Sequence, residues 1–252
     1  MTIDAPKQDL FPQMRSLWKQ AFGDTDAFLD SFFATGFSPE RCRCLLQGDR
    51  LAAVLYWFDC RWQNKKVAYL YAVATDEAFR NQGLCRTLME NTHAYLQSLG
   101  YAGTALVPGN LGLFAFYEKM GYLPFCPMKQ VFAEASGHAV SVSPISPEVF
   151  WEQRKPYLPE SALIPETDVL PFLASFSEFY TGKNALFCVN KEGDTVTFQE
   201  YWGDPGQIGG IVAALGGKTG SARIFPGDTP AAMYRALTAD PAAPSYLGIS
   251  LG

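Results

Sequence analysis

The stretch from Tyr71 to Met89 combines residue types that could hold a phosphorylated ligand. An apolar run that ends at Thr75 is followed by a basic turn, Arg80-Asn81-Gln82-Gly83, and then by a helical pattern. A strand that enters a helix through such a turn directs several backbone N–H groups to one point, where the helix dipole also favours negative charge. Because Gly83 has no Cβ, a phosphate can approach the main chain closely. The stretch therefore predicts a diphosphate site.

The elements that must position this turn follow from the spacing of apolar residues in the first half of the chain. Helices are predicted at about 7–22, at 83–99 and at 111–120. A further helix is predicted from a cap at Asp24 to an end at Gly36, carrying Phe28, Phe32 and Phe33. Strands are predicted at 41–47 and 50–60, joined by a hairpin at Gly48-Asp49, and at 66–75, 104–107 and 122–134. This order predicts an α/β (α+β) fold, in which helices flank a mixed, mostly antiparallel central sheet.

The second half repeats the coarse order of elements. Small residues and two prolines between 134 and 147 indicate a linker, so we expect domains at 1–135 and 136–252. Beyond it, the patterns predict a hairpin of 185–189 with 195–202, a helix at 207–215, a strand at 222–225, a helix over Ala231 to Leu237 and a last strand over Tyr246 to Leu251. We interpret the recurrence as a structural duplication.

Composition excludes several classes of function. The 252 residues suffice for two domains of about 100–150 residues each. A net charge of −5, without a concentrated basic face, argues against nucleic-acid binding. No signal-peptide pattern opens the sequence, and about 18 uninterrupted apolar residues occur nowhere, so we expect a soluble cytoplasmic protein with no membrane contact.

The six cysteines do not have the spacing of a metal site. Cys42 and Cys44 would share one face of a strand, and the histidines, His93 and His138, are far apart in sequence. We therefore expect reduced, mostly buried thiols and no bound metal. Cys85 has no histidine near it in sequence, which argues against a nucleophilic role.

A second block downstream allows a comparison with a known family. Asn110 precedes Phe116-Tyr117-Glu118-Lys119-Met120-Gly121-Tyr122. With Arg80-x-x-Gly83-x-Cys85, this block resembles the GCN5-related N-acetyltransferase (GNAT) family, whose acetyl-CoA motif is Arg/Gln-x-x-Gly-x-Gly/Ala. The string Val73-Ala74-Thr75 with Phe79-Arg80 resembles the pattern of a subgroup, the enhanced-intracellular-survival-like proteins, which carry two tandem acetyltransferase folds.

The resemblance implies a role for each matching residue. The turn from Thr75 through Arg80 and Asn81 leads to backbone N–H groups of Gln82, Gly83, Leu84, Cys85 and Arg86, which would hold the pyrophosphate of acetyl-CoA. Ala72, Val73 and Ala74 would pair with the pantetheine arm along a strand edge left open after Thr104. Tyr117 matches the tyrosine that protonates the leaving thiolate, and Asn110 matches an asparagine found beside the cofactor.

The sequence also departs from the family pattern. Cys85 stands where glycine or alanine is usual, and Glu77 replaces the proline of the subgroup. No general base is evident, and four candidates stay open on position alone: Asp59, Tyr69, Tyr71 and Glu77.

Two glycine-rich segments of the second half do not predict further sites. Gly216-Gly217-Lys218-Thr219 has valine where a P-loop requires its first glycine, and the apolar helix precedes the turn. The turn that matches Arg80–Gly83 begins with Asp204 and contains no arginine. We therefore expect the second domain to be a degenerate copy without its own coenzyme A site.

The sequence thus predicts an acetyl-CoA-dependent N-acetyltransferase that acts on a primary amine of a small molecule or peptide. The alternatives are a non-catalytic acyl-CoA sensor or regulatory protein and an enzyme for a longer acyl chain. The acceptor is not identified by the sequence, and a homo-oligomer stays open.

Overall fold

The computed structural model describes residues 1–137 and 140–249. Its strands are β1 Thr2–Asp4, β2 Cys42–Gln47, β3 Arg50–Trp62, β4 Lys65–Thr75, β5 Gly103–Leu106, β6 Leu123–Glu134, β7 Val142–Pro144, β8 Ala162–Pro165, β9 Glu178–Gly182, β10 Ala185–Glu192, β11 Thr195–Trp202, β12 Thr219–Ala236 and β13 Tyr246–Leu247. Its α-helices are α1 Phe11–Phe22, α2 Asp26–Ser31, α3 Leu84–Ser98, α4 Leu111–Glu118, α5 Pro147–Gln153, α6 Leu170–Ala174 and α7 Ile208–Ala214.

The chain divides into two compact units. The first comprises Met1–Leu123, Pro165–Phe172 and Met233–Ala243, and the second comprises Pro124–Ile164, Leu173–Ala232 and Pro244–Gly252. Each unit therefore includes segments from both halves of the sequence. Whether 1–135 and 136–252 act as separate functional domains stays a prediction.

The first unit is built on a mixed sheet in the order β1-β2-β3-β4-β5, followed by residues 233–236 of β12. Among the described pairings in this order, β4 and β5 run parallel and the other neighbours are antiparallel. The hairpin predicted at Gly48-Asp49 is confirmed, as are the predicted helices that became α1, α3 and α4. The mixed, mostly antiparallel sheet flanked by helices is thus confirmed.

Strand alternation gives this sheet two different faces. Leu55 and Trp57 of β3 pack with Leu88 and other residues of α3. The intervening Tyr56 and Phe58 belong instead to an aromatic cluster on the opposite face. That cluster comprises Trp18, Phe28, Phe32, Phe33, Phe37, Tyr56, Phe58, Tyr71 and Phe172.

Two predictions in the first unit are wrong. Asp24 does not cap α2, because its Oδ2 accepts a hydrogen bond from Trp18 Nε1 at 2.7 Å; the cap is Thr25, whose Oγ1 accepts from Phe28 N at 3.2 Å. The helix predicted over Ala231–Leu237 is the end of strand β12. Pairing with β5 overrides the helical pattern here, and a Cβ on Gly103 would lie 2.2 Å from the hydroxyl of Tyr234, so the glycine makes room for that ring.

The second unit repeats the strand–helix–strand order of the first. Strands β9, β10 and β11 form an antiparallel meander, and β11 leads through α7 to its parallel neighbour β12, just as β4 leads through α3 to β5. The predicted hairpin at Glu192-Gly193-Asp194 and the helix at 207–215 are confirmed. Of the predicted last strand, Tyr246–Leu247 form β13, while 250 and 251 lie outside the described residues, as does His138.

Candidate active site

The turn between β4 and α3 leaves the start of the helix without a side-chain cap. Gly83 is the N-cap residue of this 15-residue helix, with φ +77°, and no side chain in the described part of the chain caps the first turn. The amides of Leu84, Cys85 and Arg86 have no acceptor within the helix, because the first backbone N–H groups of any helix lack an intrahelical partner. The helix dipole adds positive potential at the same point. The start of α3 can therefore accept an anion.

The left-handed backbone explains the glycine in this turn. Gly83 has φ +77° and Asn81 has φ +62°, and glycine and asparagine are the residues that adopt this region most readily. A Cβ built on Gly83 would meet no atom within 4 Å. The glycine is thus required by its conformation, and the space above it is open to a ligand.

A cavity of about 560 Å³ opens at this turn. It is lined by Val73, Thr75, Phe79, Arg80, Asn81, Gly83, Leu84, Cys85, Arg86, Leu113, Phe116 and Tyr117. The fold thus brings together most of the predicted site residues, from both motif blocks, around one space. Four predicted residues are not among the lining residues: Ala72, Ala74, Gln82 and Asn110.

Strand β4 contains a bulge where the predicted pantetheine edge lies. Val54 pairs with Ala74 and Tyr56 with Tyr71, so that Ala72 and Val73 together oppose Leu55. Ala72 has φ +48°, which is unusual for alanine. The bulge shifts the alternation of side chains, and Val73 packs with the α3 core while Tyr71 joins the aromatic cluster on the other face.

The neighbouring strand leaves this edge open. The described pairing between β4 and β5 covers three residue pairs and ends at Tyr69 with Ala105. Past that point, the bulged part of β4 continues to Thr75 and reaches the cavity through Val73 and Thr75. The open edge agrees with the sequence prediction. The bulge was not predicted, because this part of the strand contains no glycine that would indicate it.

Tyr117 lies on α4 and is only 7% exposed. Its ring packs edge-on against Phe116 and Tyr122, at centroid distances of 5.2 and 5.7 Å. Burial raises the pKa of Tyr117 above its usual value of 10.0, so the phenol keeps its proton at neutral pH. A neutral phenol at a cavity wall can donate a proton.

Cys85 lines the cavity without becoming reactive. Burial raises the pKa of its thiol to about 11, against a smaller opposing effect of a hydrogen bond with Thr75. The thiolate is the nucleophilic form of cysteine, so the position of Cys85 does not favour nucleophilic catalysis.

Three predicted side chains form local hydrogen bonds in the turn or at the start of α4. Arg80 Nε donates to the carbonyl of Thr75 at 3.2 Å, and its guanidinium lies 3.4 Å from Glu77. Gln82 Nε2 donates to the carbonyl of Ala78 at 3.3 Å. Asn110 caps α4, because its Oδ1 accepts from Leu113 N at 3.3 Å. Among these, only Arg80 also lines the cavity.

Three apolar residues of the cavity wall were not among the predicted site residues. Phe79, Leu113 and Phe116 contribute to it. Leu113 precedes Phe116 by three residues and Tyr117 by four, and both spacings place helical residues on one side. These spacings are the signal from which Leu113 and Phe116 could have been found.

None of the four base candidates belongs to the lining residues. Asp59 accepts from the hydroxyl of Tyr101 at 2.5 Å and lies 3.6 Å from Lys66 Nζ, which occupies its carboxylate. Glu77 pairs with Arg80. Tyr71 belongs to the aromatic cluster, and the ring centroid of Tyr69 lies 6.5 Å from that of Tyr71. The geometry thus selects no base.

The cysteines among the described residues are not arranged around a metal. All six cysteines are free, and all except Cys85 are buried, as predicted. Within 1–137 and 140–249, no three His, Cys, Asp or Glu side chains are grouped to hold a metal ion. No helix in the described part of the chain is long and apolar enough to cross a membrane.

The open strand edge, the start of α3 and the buried Tyr117 meet at one cavity of the first unit. Residues 2–125 match the sequence profile of a family described as acetyltransferase (GNAT) domain. The first half of the chain therefore belongs to the GNAT family, whose members transfer acetyl groups from acetyl-CoA. A comparison with curated proteins found no match.

Solved structures extend the likeness to both halves of the chain. A GCN5-related N-acetyltransferase from Kribbella flavida is 16% identical with a TM-score of 0.67, over 94% of this chain and 72% of that one. Eis1 from Mycobacterium abscessus is 9% identical with a TM-score of 0.65, over 94% and 74%. A tandem GNAT protein from the clavulanic acid biosynthesis pathway is 9% identical with a TM-score of 0.59, over 95% and 99%. The fold is thus GNAT-like with tandem character.

Proposed function

We propose that the protein is an N-acetyltransferase that moves an acetyl group from acetyl-CoA to a primary amine by direct attack on the thioester. The observation that carries this proposal is the single cavity lined both by the uncapped start of α3 and by Tyr117. An anion-binding helix start and a proton donor at the same cavity suit two parts of acetyl-CoA, its pyrophosphate and its thioester.

The residues present fit acetyl-CoA. The amides of Gly83, Leu84, Cys85 and Arg86 would bind the pyrophosphate, because no side chain caps them and no Cβ covers Gly83. Thr75, Arg80, Asn81 and Gln82 hold the turn in shape. The bulged segment Ala72, Val73 and Ala74 would pair with the pantetheine arm, since β5 has left that edge. Asn110 acts indirectly by capping the helix that carries Tyr117.

Acetyl-CoA supplies the acetyl group in activated form, with sulfur as the leaving atom. A backbone N–H of the bulge near Val73 would polarise the acetyl carbonyl. Tyr117 would give its phenolic proton to the departing sulfur and recover one from the nitrogen that has formed the amide. Because burial raises the pKa of Tyr117, its phenolate is a strong base and is rapidly reprotonated.

The acceptor is proposed to be a primary amine of a small molecule or a peptide, the substrates on which GNAT enzymes act. The nucleophile must reach the thioester unprotonated, and none of the four base candidates lines the cavity. We therefore expect activity to favour amines with a substantial neutral fraction at the assay pH.

Release of free thiol from acetyl-CoA tests the proposal. The purified protein is incubated with a panel of metabolite and peptide amines, and acetylated products are identified by mass spectrometry. Thiol release that depends on one amine, with a matching mass gain of one acetyl group, is the expected result. The absence of any acetylated product across the panel would contradict it.

A second candidate function is a non-catalytic acyl-CoA sensor. The observation that favours it is that none of the described lining residues is a carboxylate or a histidine. A sensor would bind acetyl-CoA in the same cavity yet release no thiol with any amine. Repeating the thiol assay with longer acyl-CoA thioesters separates a sensor from an enzyme for a bulkier acyl group.

A further inference from the structure

A buried polar cluster lies directly behind Tyr117. The hydroxyl of Tyr122 is 2.8 Å from His93 Nε2 and 2.8 Å from Thr104 Oγ1. The three residues are 0%, 4% and 0% exposed for Tyr122, His93 and Thr104 respectively. The cluster joins β5, α3 and the turn after α4, and its tyrosine ring contacts Tyr117 at 5.7 Å.

Tyr122 is also tied to Tyr117 through the main chain. The carbonyl of Tyr117 accepts from the amide of Met120 at 2.9 Å and from the amide of Tyr122 at 3.2 Å. Arg235, on β12, donates to the carbonyl of Met120 at 2.6 Å. The turn that ends α4 is therefore held from both sides, so Tyr117 is attached to a fixed turn.

The imidazole of His93 is neutral within this cluster. Burial, assisted by the charge of Arg235, lowers the pKa of His93 to about 3, so the imidazole is neutral. Among the described residues its Nδ1 has no hydrogen-bond partner, so the imidazole is held in the cluster through Nε2. His93 Nε2 and Thr104 Oγ1 each share a hydrogen bond with the hydroxyl of Tyr122.

We propose that Tyr122 is a positioning residue for Tyr117. His93 and Thr104 fix the hydroxyl of Tyr122, and the fixed ring of Tyr122 orients the phenol of Tyr117 toward the cavity. An apolar core alone would not require this hydroxyl, since a phenylalanine would fill the same volume. The catalytic part of this inference rests on the proposed role of Tyr117 as the proton donor.

The first test measures the motion of the Tyr117 ring and needs no turnover. Fluorine NMR relaxation is recorded for protein with 3-fluorotyrosine in place of Tyr117, with and without Tyr122→Phe. Loss of both hydrogen bonds should increase the ring motion at 117. Unchanged relaxation would overturn the proposal, whether or not the protein is an enzyme.

Tyr101→Phe is the matched control for this measurement. Tyr101 is another buried tyrosine of the same core, and its hydroxyl lies 2.5 Å from Asp59 and 3.4 Å from Trp57 Nε1. Its loss should leave the ring motion at 117 unchanged. If Tyr122→Phe does not fold, Thr104→Val removes one of the two hydrogen bonds and should raise the ring motion in the same direction. No change there would equally overturn the proposal.

The second test is a double-mutant cycle on turnover. Tyr122→Phe should lower kcat about 10-fold through misorientation while the KM for acetyl-CoA stays unchanged. In the Tyr117→Phe background, the same substitution should cause no further loss. An equal loss in both backgrounds would overturn the proposal, because it indicates general damage. If the unsubstituted protein shows no turnover, the proposed function is contradicted instead. The fluorine NMR measurement then still tests whether Tyr122 positions Tyr117.

Discussion

Helices α3 and α7 follow equivalent strands in the two units, yet their starts are built differently. The turn before α3 is basic, its glycine is left-handed, and no side chain caps the helix. The turn before α7 begins with Asp204, whose Oδ1 accepts from Gly206 N at 2.9 Å. The second turn thus carries its own negative group where the first leaves room for one from a ligand.

The chain also lies closer to the second helix. The amide of Ser136 donates to the carbonyl of Gly209 at 3.0 Å, and a Cβ on Gly209 would lie 2.7 Å from the carbonyl oxygen of Glu134. At Gly83, a Cβ would meet nothing within 4 Å. The same arrangement of strand and helix thus has an open helix start at Gly83 and a start covered by the chain itself at Gly209.

The buried polar groups of the two units also differ, because one set is neutral and the other is charged. The first unit buries the neutral cluster of His93, Tyr122 and Thr104 behind Tyr117. The second buries a charged pair, Arg154 with Glu200 at 3.1 Å, and Tyr246 donates to the same carboxylate at 2.6 Å. We propose that the neutral cluster positions Tyr117 and that the charged pair stabilises the second unit.

The largest expected effect concerns that charged pair. Both side chains are 1% exposed, so Glu200→Leu leaves an unpaired buried guanidinium and should cost about 3–5 kcal/mol in the free energy of unfolding. Urea unfolding measures this loss. The double variant Arg154→Met/Glu200→Leu should recover most of it, because no buried charge remains. An equally unstable double variant would show that the pair has another role.

The next effect concerns Tyr117. Tyr117→Phe should lower kcat about 100-fold or more, since the sulfur loses its proton donor. The affinity for acetyl-CoA, measured by calorimetry, should stay as in the unchanged protein. Turnover that survives the substitution would remove Tyr117 from the mechanism.

A smaller effect is expected from pH. The imidazole of an unfolded chain binds a proton near pH 6.5, whereas in the native protein the pKa of His93 is about 3. Between these values, acid favours the unfolded state by about 1.4 kcal/mol per pH unit. The free energy of unfolding of the unsubstituted protein should therefore fall faster with falling pH than that of His93→Gln. If the two free energies of unfolding fell equally with pH, His93 would bind a proton as readily in the native state as in the unfolded chain.

The smallest effect tests whether Asp204 alone blocks a second site. Asp204→Ala removes the acceptor of the Gly206 amide and should cost about 1 kcal/mol of stability. Calorimetry should still find one acetyl-CoA per chain, because the segment at 134–136 continues to lie against α7. A second binding site in this variant would mean that charge alone separates the two units.

Much of the site followed from local sequence. The turn at 80–83 was predictable because its glycine and basic residues stand between a clear strand and a clear helix. Ala231–Leu237 was not, since its strand conformation depends on pairing with β5, more than 120 residues earlier in the chain. The bulge at Ala72 carries no glycine, and its left-handed backbone is imposed by register with β3. Long-range pairing is thus the information that local patterns lack.

Titration of acetyl-CoA into Gly83→Glu tests the central claim most directly. A carboxylate at this position would occupy the start of α3, as Asp204 does before α7, so binding should be lost. Gly100→Glu, at the other end of α3, is the control, because it adds the same charge at a similar φ, +81° against +77°, with equally open space. We predict one acetyl-CoA per chain for the unchanged protein and for Gly100→Glu, and none for Gly83→Glu. Binding that persists in Gly83→Glu would contradict the account.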